Sequence, residues 1–415
     1  MRKLRFAVAI LLVCATLSGC SGEPLLPMMN EIDDFDIIQV LGIDRSAESP
    51  DEVEVTIIAG KGAGGGGESA GTERMLEIES ATAPTVIGAL SNLNLYSDRR
   101  HHLGYTDFLL IGESAAADDI SKYTDYFTRY HETRYSTRVF IIRGTSAHDF
   151  LKSTVSDAHF VADALGNFDE TVRRVGNTGI VSVIDMINML DAPDSATVLP
   201  ALKTRDVDDT MIIGGEMPEK DFAPAGYAVL RDFKLAGYFE PEYSLGYNAL
   251  TGKMHTAPLN VKDPDGFMTG VIVMSDSLNL TPVWDGDKLK SVTIESVLSA
   301  NVGEQHGRND IYHDAPLAEL CDTISADVKS RMEKAVERAR ELGVDSLDLA
   351  ERIRTKNPVK WKRIEGNWRE LFAQLPINVK VTTCIRRPYD LREPNGFKPQ
   401  QAADKAKTAK EKHNG

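Results

Sequence analysis

The sequence is short of cysteine, of tryptophan and of positive charge. Its 415 residues include only four cysteines and three tryptophans, so it is not a disulfide-rich secreted scaffold. Lysine and arginine total 47 against 62 for aspartate and glutamate, which gives a formal net charge of −15. Because an acidic chain has no general attraction to phosphate backbones, this balance argues against nucleic-acid binding. The remaining composition, 42% hydrophobic and 26% charged, is typical of a folded chain of about two or three domains.

Long hydrophobic runs are also absent, apart from one near the N-terminus. Arg2, Lys3 and Arg5 precede the apolar segment 6–17, in which Thr16 is the only polar residue. This segment is too short to span a bilayer, but it suits the hydrophobic region of a signal peptide. No later segment approaches the roughly 18 apolar residues of a membrane-spanning helix. The sequence therefore predicts export, with the body of the protein outside the cytoplasmic membrane.

The apolar segment ends in Leu17-Ser18-Gly19-Cys20, which is typical of a bacterial lipobox. In such a motif the cysteine thiol is alkylated with diacylglycerol and the chain is cut before the cysteine. We therefore predict a signal peptide at 1–19, lipidation of Cys20 and a lipid-anchored tether at 20–31. Two acyl chains hold a protein durably, whereas an acidic body gains nothing from an anionic membrane surface. The alternative is an ordinary secretory signal followed by an incidental cysteine.

Strand-like and helix-like patterns alternate through most of the chain. Segment 53–57 alternates apolar and polar residues, as a half-buried strand does, whereas 120–130 repeats apolar residues at helical spacing. This interleaving predicts an α+β fold of three domains, each a mixed or antiparallel sheet with packed helices. We place an N-terminal domain at 32–192, a small middle domain at 193–258, a C-terminal domain at 259–392 and a disordered, lysine-rich tail at 393–415.

The C-terminal domain carries the clearest single elements. The dipeptide Asp285-Gly286 favours a hairpin turn between strand-like segments at 270–274 and 290–298. Three further elements are predicted: a helix from Asp314 or Pro316 to Gly343, a helix carrying Trp361, Ile364, Trp368, Leu371 and Phe372, and a last strand at 377–385.

Two segments resemble enzyme motifs, and a structural role explains each of them better. Residues 62–67 match the glycine pattern of a dinucleotide-binding loop, but they lead into a strand rather than a helix. Gly112-Glu113-Ser114 resembles the start of a nucleophile elbow, but Ala116 stands where that pattern requires glycine. We therefore predict no catalytic residue and no cofactor, and we expect that the chain is not an enzyme.

Candidate metal and ligand groups are equally incomplete. His101 and His102 are adjacent, so their side chains diverge on a strand or a helix. The aspartates of 263–266 and 285–287 lack the spacing of an EF-hand loop and suit hairpin turns instead. Trp361 and Trp368 could form a ligand platform, but their spacing of two helical turns favours the core. We expect no metal site.

The two cysteines that follow Cys20 are Cys321 and Cys384. One bridge between them and two free thiols are both compatible with the sequence. Two free thiols is the simpler expectation, because a single pair in a chain of this length does not make a disulfide framework.

Several segments, in this order along the chain, resemble one family. They are Glu31-Ile32-Asp33-Asp34 with the strand to Gly42-Ile43-Asp44; Leu109–Ala115; Gly226–Leu230, Lys234–Tyr238 and Leu250–Lys253; and Trp361–Ile364, Trp368, Val379–Val381 and Ile385–Arg387. The order and spacing of these segments resemble the Ger(x)C family, the lipoprotein C subunits of spore germinant receptors in endospore-forming bacteria.

The resemblance implies a function and a location. It implies a non-catalytic lipoprotein on the outer face of the spore's inner membrane, needed for nutrient-triggered germination. It also implies two integral-membrane partner subunits, one of them similar to an amino-acid permease, in a receptor for small nutrients. The alternative function is a stand-alone nutrient-binding lipoprotein of the cell envelope.

Overall fold

The computed structural model describes residues 35–60, 76–97, 99–154, 158–176, 178–192, 194–206, 220–307, 311 and 314–388. The predicted signal peptide 1–19, the tether 20–31 with Cys20, the glycine-rich segment 62–67 and the tail 393–415 lie outside these residues.

The first part of the chain builds a large mixed sheet with helices on both faces. Its strands, together with those of a small separate sheet, are β1 (Phe35–Ile37), β2 (Val40–Arg45), β3 (Val53–Gly60), β4 (Leu76–Ala83), β5 (Arg100–His102), β6 (Phe108–Gly112), β7 (Arg138–Ile142), β8 (Thr197–Asp206), β9 (Lys220–Arg231) and β10 (Lys234–Phe239). Its helices are α1 (Val86–Tyr96), α2 (Glu113–Asp118), α3 (Ile120–Arg129), α4 (Ala147–Thr154), α5 (Ala158–Val175) and α6 (Val183–Leu190).

Four parallel strands form the middle of this eight-stranded sheet. The strand order is β10-β9-β8-β7-β6-β2-β3-β4, and β2, β6, β7 and β8 run parallel. Leu109 and Ile111 of β6 face α1, α2, α3 and α6, whereas Phe108 and Leu110 face α4 and α5. Because both faces are covered, the central strands are continuous apolar runs rather than alternating ones. β1 and β5 pair in parallel as a separate two-stranded sheet.

The large sheet crosses the domain boundary that we predicted at residue 193. β8 pairs with β7, and β9 and β10 follow at the edge, so the strands of 193–258 extend the N-terminal sheet. Helix α7 (Pro241–Thr251) packs instead with the C-terminal core. The structure thus differs from the predicted middle domain, which has no sheet of its own among the described residues. Turn residues mark where strands end, but they do not indicate which strands pair.

The C-terminal part is a four-stranded sheet covered by one long helix. Its elements are β11 (Thr256–Lys262), β12 (Met268–Asp285), β13 (Lys288–Gln305), α8 (Asp314–Glu341), α9 (Leu349–Lys356), α10 (Pro358–Trp361), a 3₁₀ turn (Glu365–Asn367), α11 (Trp368–Gln374) and β14 (Ile377–Pro388). The strand order is β11-β12-β13-β14, and α8 lies on the connection between the parallel strands β13 and β14. The two large sheets with their packed helices confirm the predicted α+β class.

Most predicted elements of this part are confirmed. Gly286, at a φ of 59°, lies in the hairpin turn between β12 and β13. The apolar face of α8, which includes Leu320, Ile324, Val328 and Met332, is fully buried. None of the helices in the described residues is both long enough and apolar enough to cross a membrane.

The predicted continuous helix through Trp361 and Trp368 is wrong. The segment is instead divided into α10, the 3₁₀ turn and α11. Gly366 and Asn367 are poor helix formers, and they lie at the break. The apolar spacing remains correct, because Trp361, Trp368 and Phe372 are all buried in the same core.

Candidate functional site

Two clefts lie along the junction between the two large sheets. One of about 610 Å³ is lined by the C-terminal end of α5, by α6 and by the residues that follow α7. A second of about 610 Å³ lies beyond the C-terminal end of α6, against the loop that follows α8. Met189 lines both clefts. The predicted site residue, Cys20, lies outside the described residues.

Lys253 supplies a positive charge to the first cleft. α7 ends at Gly252, whose left-handed φ of 76° reverses the chain and leads into Lys253. The Lys253 ammonium donates to the Tyr247 hydroxyl at 3.1 Å and lies 5.3 Å from the centre of its ring. Burial lowers the pKa of Lys253, and the charges of Asp348 and Asp185 oppose that shift. The cleft therefore contains a cation in a partly desolvated position.

Asp348 supplies a carboxylate to the same cleft. It precedes the first turn of α9 at a φ of 55°, a left-handed conformation that aspartate adopts more readily than most residues. Burial raises the pKa of Asp348, and the positive charges of Lys253 and Arg352 oppose the shift. An ammonium and a carboxylate that line one cleft can together bind a small polar molecule with charges of both signs.

The wall of the first cleft is held by the buried amide of Asn248. The Tyr227 hydroxyl donates to Asn248 Oδ1 at 2.5 Å. Asn248 Nδ2 donates to the carbonyls of Gly176 at 2.9 Å and Thr178 at 3.1 Å. These bonds join α7 of the C-terminal core to β9 and to the loop between α5 and α6. Sequence reasoning missed Asn248, because one amide in a short helix shows no pattern.

Asp345 organises the loop that separates the two clefts. Its carboxylate accepts from the backbone N–H groups of Leu347, Leu349 and Ala350 and from the indole N–H of Trp368, at 2.7 to 3.2 Å. Burial raises the pKa of Asp345 to about 6, although the backbone hydrogen bonds lower it. Its own carbonyl accepts from the Ala196 N–H at 2.8 Å, which ties this loop to the residue before β8.

The Gly-Ile-Asp segment at the end of β2 has a structural role of the same kind. Asp44 Oδ1 and Oδ2 accept from the N–H groups of Ala147 at 2.8 Å and His148 at 2.9 Å, at the start of α4. Burial raises the pKa of Asp44 to about 6 against the effect of these bonds. A Cβ at position 112 would overlap the Asp44 carboxylate, so Gly112 is required there.

The segment after Gly112, which resembles the start of a nucleophile elbow, connects two parts of the N-terminal sheet. Glu113 accepts from the Gly144 N–H at 2.8 Å and from the Tyr238 hydroxyl at 2.5 Å. Ser114 lies exposed in α2. The guanidinium of Arg143 stacks 4.1 Å from the centre of the Tyr238 ring. Glu113 therefore links the loop after β7 to the edge strand β10.

The histidine pair diverges on β5, as its spacing predicts. His101 is buried with Nε2 3.6 Å from Glu79, whereas Nδ1 of the half-exposed His102 lies 4.0 Å from Glu132. Burial lowers the pKa of His101, against the charges of Glu79 and Asp36. Across the described ranges no three His, Cys, Asp or Glu side chains are grouped as a metal site would need.

The other candidate residues take structural positions. Asp263 Oδ1 accepts from the Phe267 N–H at 2.8 Å in the turn that leads into β12. The rings of Trp361 and Trp368 are buried 5.1 Å apart, so they belong to the core as predicted. Cys321, half-buried in α8, and Cys384, exposed on β14, are both free thiols in the structure.

Two models of protein families match the chain. A family model described as "Spore germination protein N-terminal domain" matches residues 29–204. A second, described as "Spore germination B3/ GerAC like, C-terminal", matches residues 225–389. The chain belongs to the Ger(x)C family of spore germination proteins. The two matches together cover most of the chain.

Relatives agree with the family models over nearly the full length. Spore germination protein KC of Bacillus subtilis (strain 168) is 24% identical over 411 residues, which cover 93% of this chain and 96% of that protein. YfkR of the same strain, also named for spore germination, is 23% identical over 387 residues, covering 91% and 94%. A crystal structure of the GerBC protein aligns with 84% of this chain and 97% of its own, at 14% identity and a TM-score of 0.49.

Proposed function

We propose that this member of the Ger(x)C family is the lipid-anchored C subunit of a nutrient germinant receptor. The observation that carries the proposal is the match of spore germination family models to both halves of the chain. In this role the protein acts as a binding or assembly subunit, without catalysis, on the outer face of the spore's inner membrane. Its partners are two integral-membrane subunits, one of them permease-like.

Two observations support a non-catalytic role. The buried carboxyl groups Asp44 and Asp345, whose pKa values burial raises to about 6, accept hydrogen bonds from backbone N–H groups at helix starts. Raised pKa values often mark catalytic acids, but here the geometry accounts for both as structural acceptors. Ser114, which the sequence motif suggested as a nucleophile, lies exposed on a helix.

The lipid anchor rests on the sequence around Cys20. A signal peptide followed by Leu17-Ser18-Gly19-Cys20 supplies a diacylglycerol anchor, and two acyl chains suffice for stable attachment. The net negative charge of the body gives it no general electrostatic attraction to an anionic membrane.

Replacement of Cys20 tests the anchor and its importance together. Cys20→Ala removes the alkylated thiol and is expected to block the coupled cleavage, so the protein should migrate as a precursor without incorporated fatty acid. Nutrient-triggered germination should be impaired, because tethering raises the concentration of the subunit at the membrane. Cys384→Ala, which removes an exposed thiol of β14, is the matched control. Wild-type fatty-acid labelling of the Cys20→Ala protein would refute the site, and unlabelled protein with normal germination would refute the need for it.

A stand-alone nutrient-binding lipoprotein is the second candidate function, and the first cleft favours it. Lys253 and Asp348 line that cleft with opposite charges. This function requires that the purified protein bind a small nutrient without partners. The test is calorimetric titration with amino acids and sugars, using Lys253→Met as the variant that keeps the stem but loses the charge. Absence of heat with every nutrient would exclude independent capture and leave the subunit role.

A further inference from the structure

Two adjacent apolar side chains lie exposed at the C-terminal end of α1. Leu95 and Tyr96 are the most exposed large hydrophobic residues in the described part of the chain, with 75% and 90% of their surface accessible. They end α1, in which Val86, Ala89, Leu90 and Leu93 are buried in the N-terminal core and Ile87 is half exposed. Single exposed apolar residues are common, but a protruding pair at a helix end is a small contact surface.

The N-terminal segment of the chain enters the fold beside this pair. β1 begins at Phe35, the first described residue, and pairs with β5 so that Phe35 lies opposite Arg100. Asn94 Oδ1 accepts from the His101 N–H at 3.0 Å, which holds the last turn of α1 against β5. The chain therefore enters the described fold at β1, beside the strand to which the last turn of α1 is bonded.

Two arginines, one paired with a carboxylate and one exposed, follow this pair in the chain. The Arg99 guanidinium lies 3.7 Å from the buried carboxylate of Asp36, which orders it, and Arg100 is exposed. A tyrosine with neighbouring arginines is typical of membrane–water interfaces, because the ring is amphipathic and arginine donates to phosphate oxygens.

We infer that one surface of the protein rests on the phospholipid bilayer, with Leu95 and Tyr96 in the interfacial layer. This surface, which we call the tether end, consists of Phe35, Leu95, Tyr96, Arg99 and Arg100. The inference rests on the proposed anchor at Cys20. The 15 residues from 20 to 34 can extend at most about 50 Å, so the anchor holds Phe35 within that distance of the bilayer. The anchored lipid makes this contact intramolecular and so strengthens it.

Site-specific tryptophan fluorescence tests the inference on the full-length lipoprotein. Tyr96→Trp is compared with Val359→Trp, which replaces a 71% exposed residue of α10 in the C-terminal core region. Both proteins are reconstituted in vesicles of phosphatidylethanolamine and phosphatidylglycerol that contain phospholipids brominated near the headgroup. Wild-type protein gives the background of Trp284, Trp361 and Trp368. We expect a blue shift and quenching at position 96 and neither at position 359.

The mass of the N-terminal peptide from the same preparation reports lipidation of Cys20 separately. Lipidated protein without quenching at position 96 overturns the inference, while the anchor stands. Equal quenching at positions 96 and 359 also overturns it, because the body then has no preferred face. Quenching at position 96 in protein without lipid supports the surface and refutes the anchor. Protein with neither lipid nor quenching refutes both.

Discussion

The two halves of the molecule each use one buried aspartate to hold the start of a helix, but over very different distances in the chain. Asp44 at the end of β2 accepts from Ala147 and His148, 103 and 104 residues further on. Asp345 accepts from Leu347, Leu349 and Ala350 within five residues. Burial raises the pKa of both carboxyls to about 6.

The difference shows that the helix start is held by a long-range contact in one half and by a local contact in the other. The start of α4 is bonded to a strand from a distant part of the chain, so this contact requires the packing of the large sheet. The first N–H groups of a helix have no hydrogen-bond partner within the helix. At α9 the partner is Asp345, which lies in the loop directly before the helix. The contacts with Ala196 and Trp368 then join this local unit to the rest of the protein.

The largest predicted effect concerns backbone contact in the C-terminal half. A Cβ at position 246 of α7 would overlap the backbone of α8 at Arg331. Gly246→Ala must therefore separate two packed helices, and we expect a loss of about 3 kcal/mol in the free energy of unfolding. Gly112→Ala should cost less, because its obstacle is the side chain of Asp44 rather than a backbone.

Urea denaturation measures both changes, and Gly366→Ala is the control. A Cβ at position 366 would meet nothing within 4 Å, so this variant should be close to neutral. A larger loss of unfolding free energy for Gly112→Ala than for Gly246→Ala would contradict the prediction that the backbone contact in the C-terminal half is the less tolerant of the two.

A second prediction tests the long-range acceptor. Asn at position 44 can accept with only one of its two side-chain groups, so Asp44→Asn leaves one N–H of α4 unsatisfied in the core. We expect a loss of about 2 kcal/mol in the free energy of unfolding. Asp149→Asn is the matched control, because it removes an acidic group of the first turn of α4 that is exposed. Asp149→Asn should lower the free energy of unfolding by no more than about 1 kcal/mol. Equal losses for the two variants would show that negative charge near the helix start, rather than the buried acceptor, stabilises α4.

A third prediction uses pH to sharpen the role of Asp345. Its folded pKa, about 6, lies above the ordinary value of 3.8 for aspartate, so between these values the folded state holds a proton that the unfolded state releases. Stability from this group is therefore highest at low pH and falls as pH rises from about 4 to about 6. Asp345→Asn removes that titration, so wild type should lose stability relative to the variant by up to about 1 kcal/mol per pH unit in this window.

The measurement is the difference between the two unfolding free energies at several pH values. A difference that stays constant across the window would show that the folded pKa of Asp345 is not raised. The reverse slope would show that the hydrogen bonds to the carboxylate outweigh the cost of burying it.

The smallest predicted effect lies on the exposed face of the C-terminal sheet. Glu295 of β13 and Lys380 of β14 form an ion pair at 3.0 Å with both side chains largely in solvent. Glu295→Gln should change the free energy of unfolding by less than about 0.5 kcal/mol, because solvent screens such pairs. Thermal unfolding in low and high salt measures this, and a loss as large as that of Asp44→Asn would contradict the emphasis on buried acceptors.

The sequence predicted local elements well and long-range pairing poorly. The hairpin at Asp285-Gly286 and the helix α8 are local patterns, and both are confirmed. The separate middle domain differs from the structure because β8 joins β7 through pairing that no local pattern records. The break between α10 and α11 was missed because the apolar spacing continues across it.

The site shows the same division. The turn at Asp263 and the core position of Trp361 follow from neighbouring residues. The cleft brings Lys253 and Asp348 together from positions nearly a hundred residues apart, and the amide of Asn248 bonds to a carbonyl 72 residues earlier in the chain. Single polar residues of this kind become visible only when the chain is folded.

Co-purification from spore membranes tests the central claim, that this chain is the C subunit of a germinant receptor, most directly. The protein is extracted from the membranes in mild detergent and isolated, with the Cys384→Ala variant as a matched preparation. We predict that two integral-membrane proteins, one of them permease-like, accompany it in constant ratio. Recovery of the chain alone from membranes that contain both proteins would contradict the account.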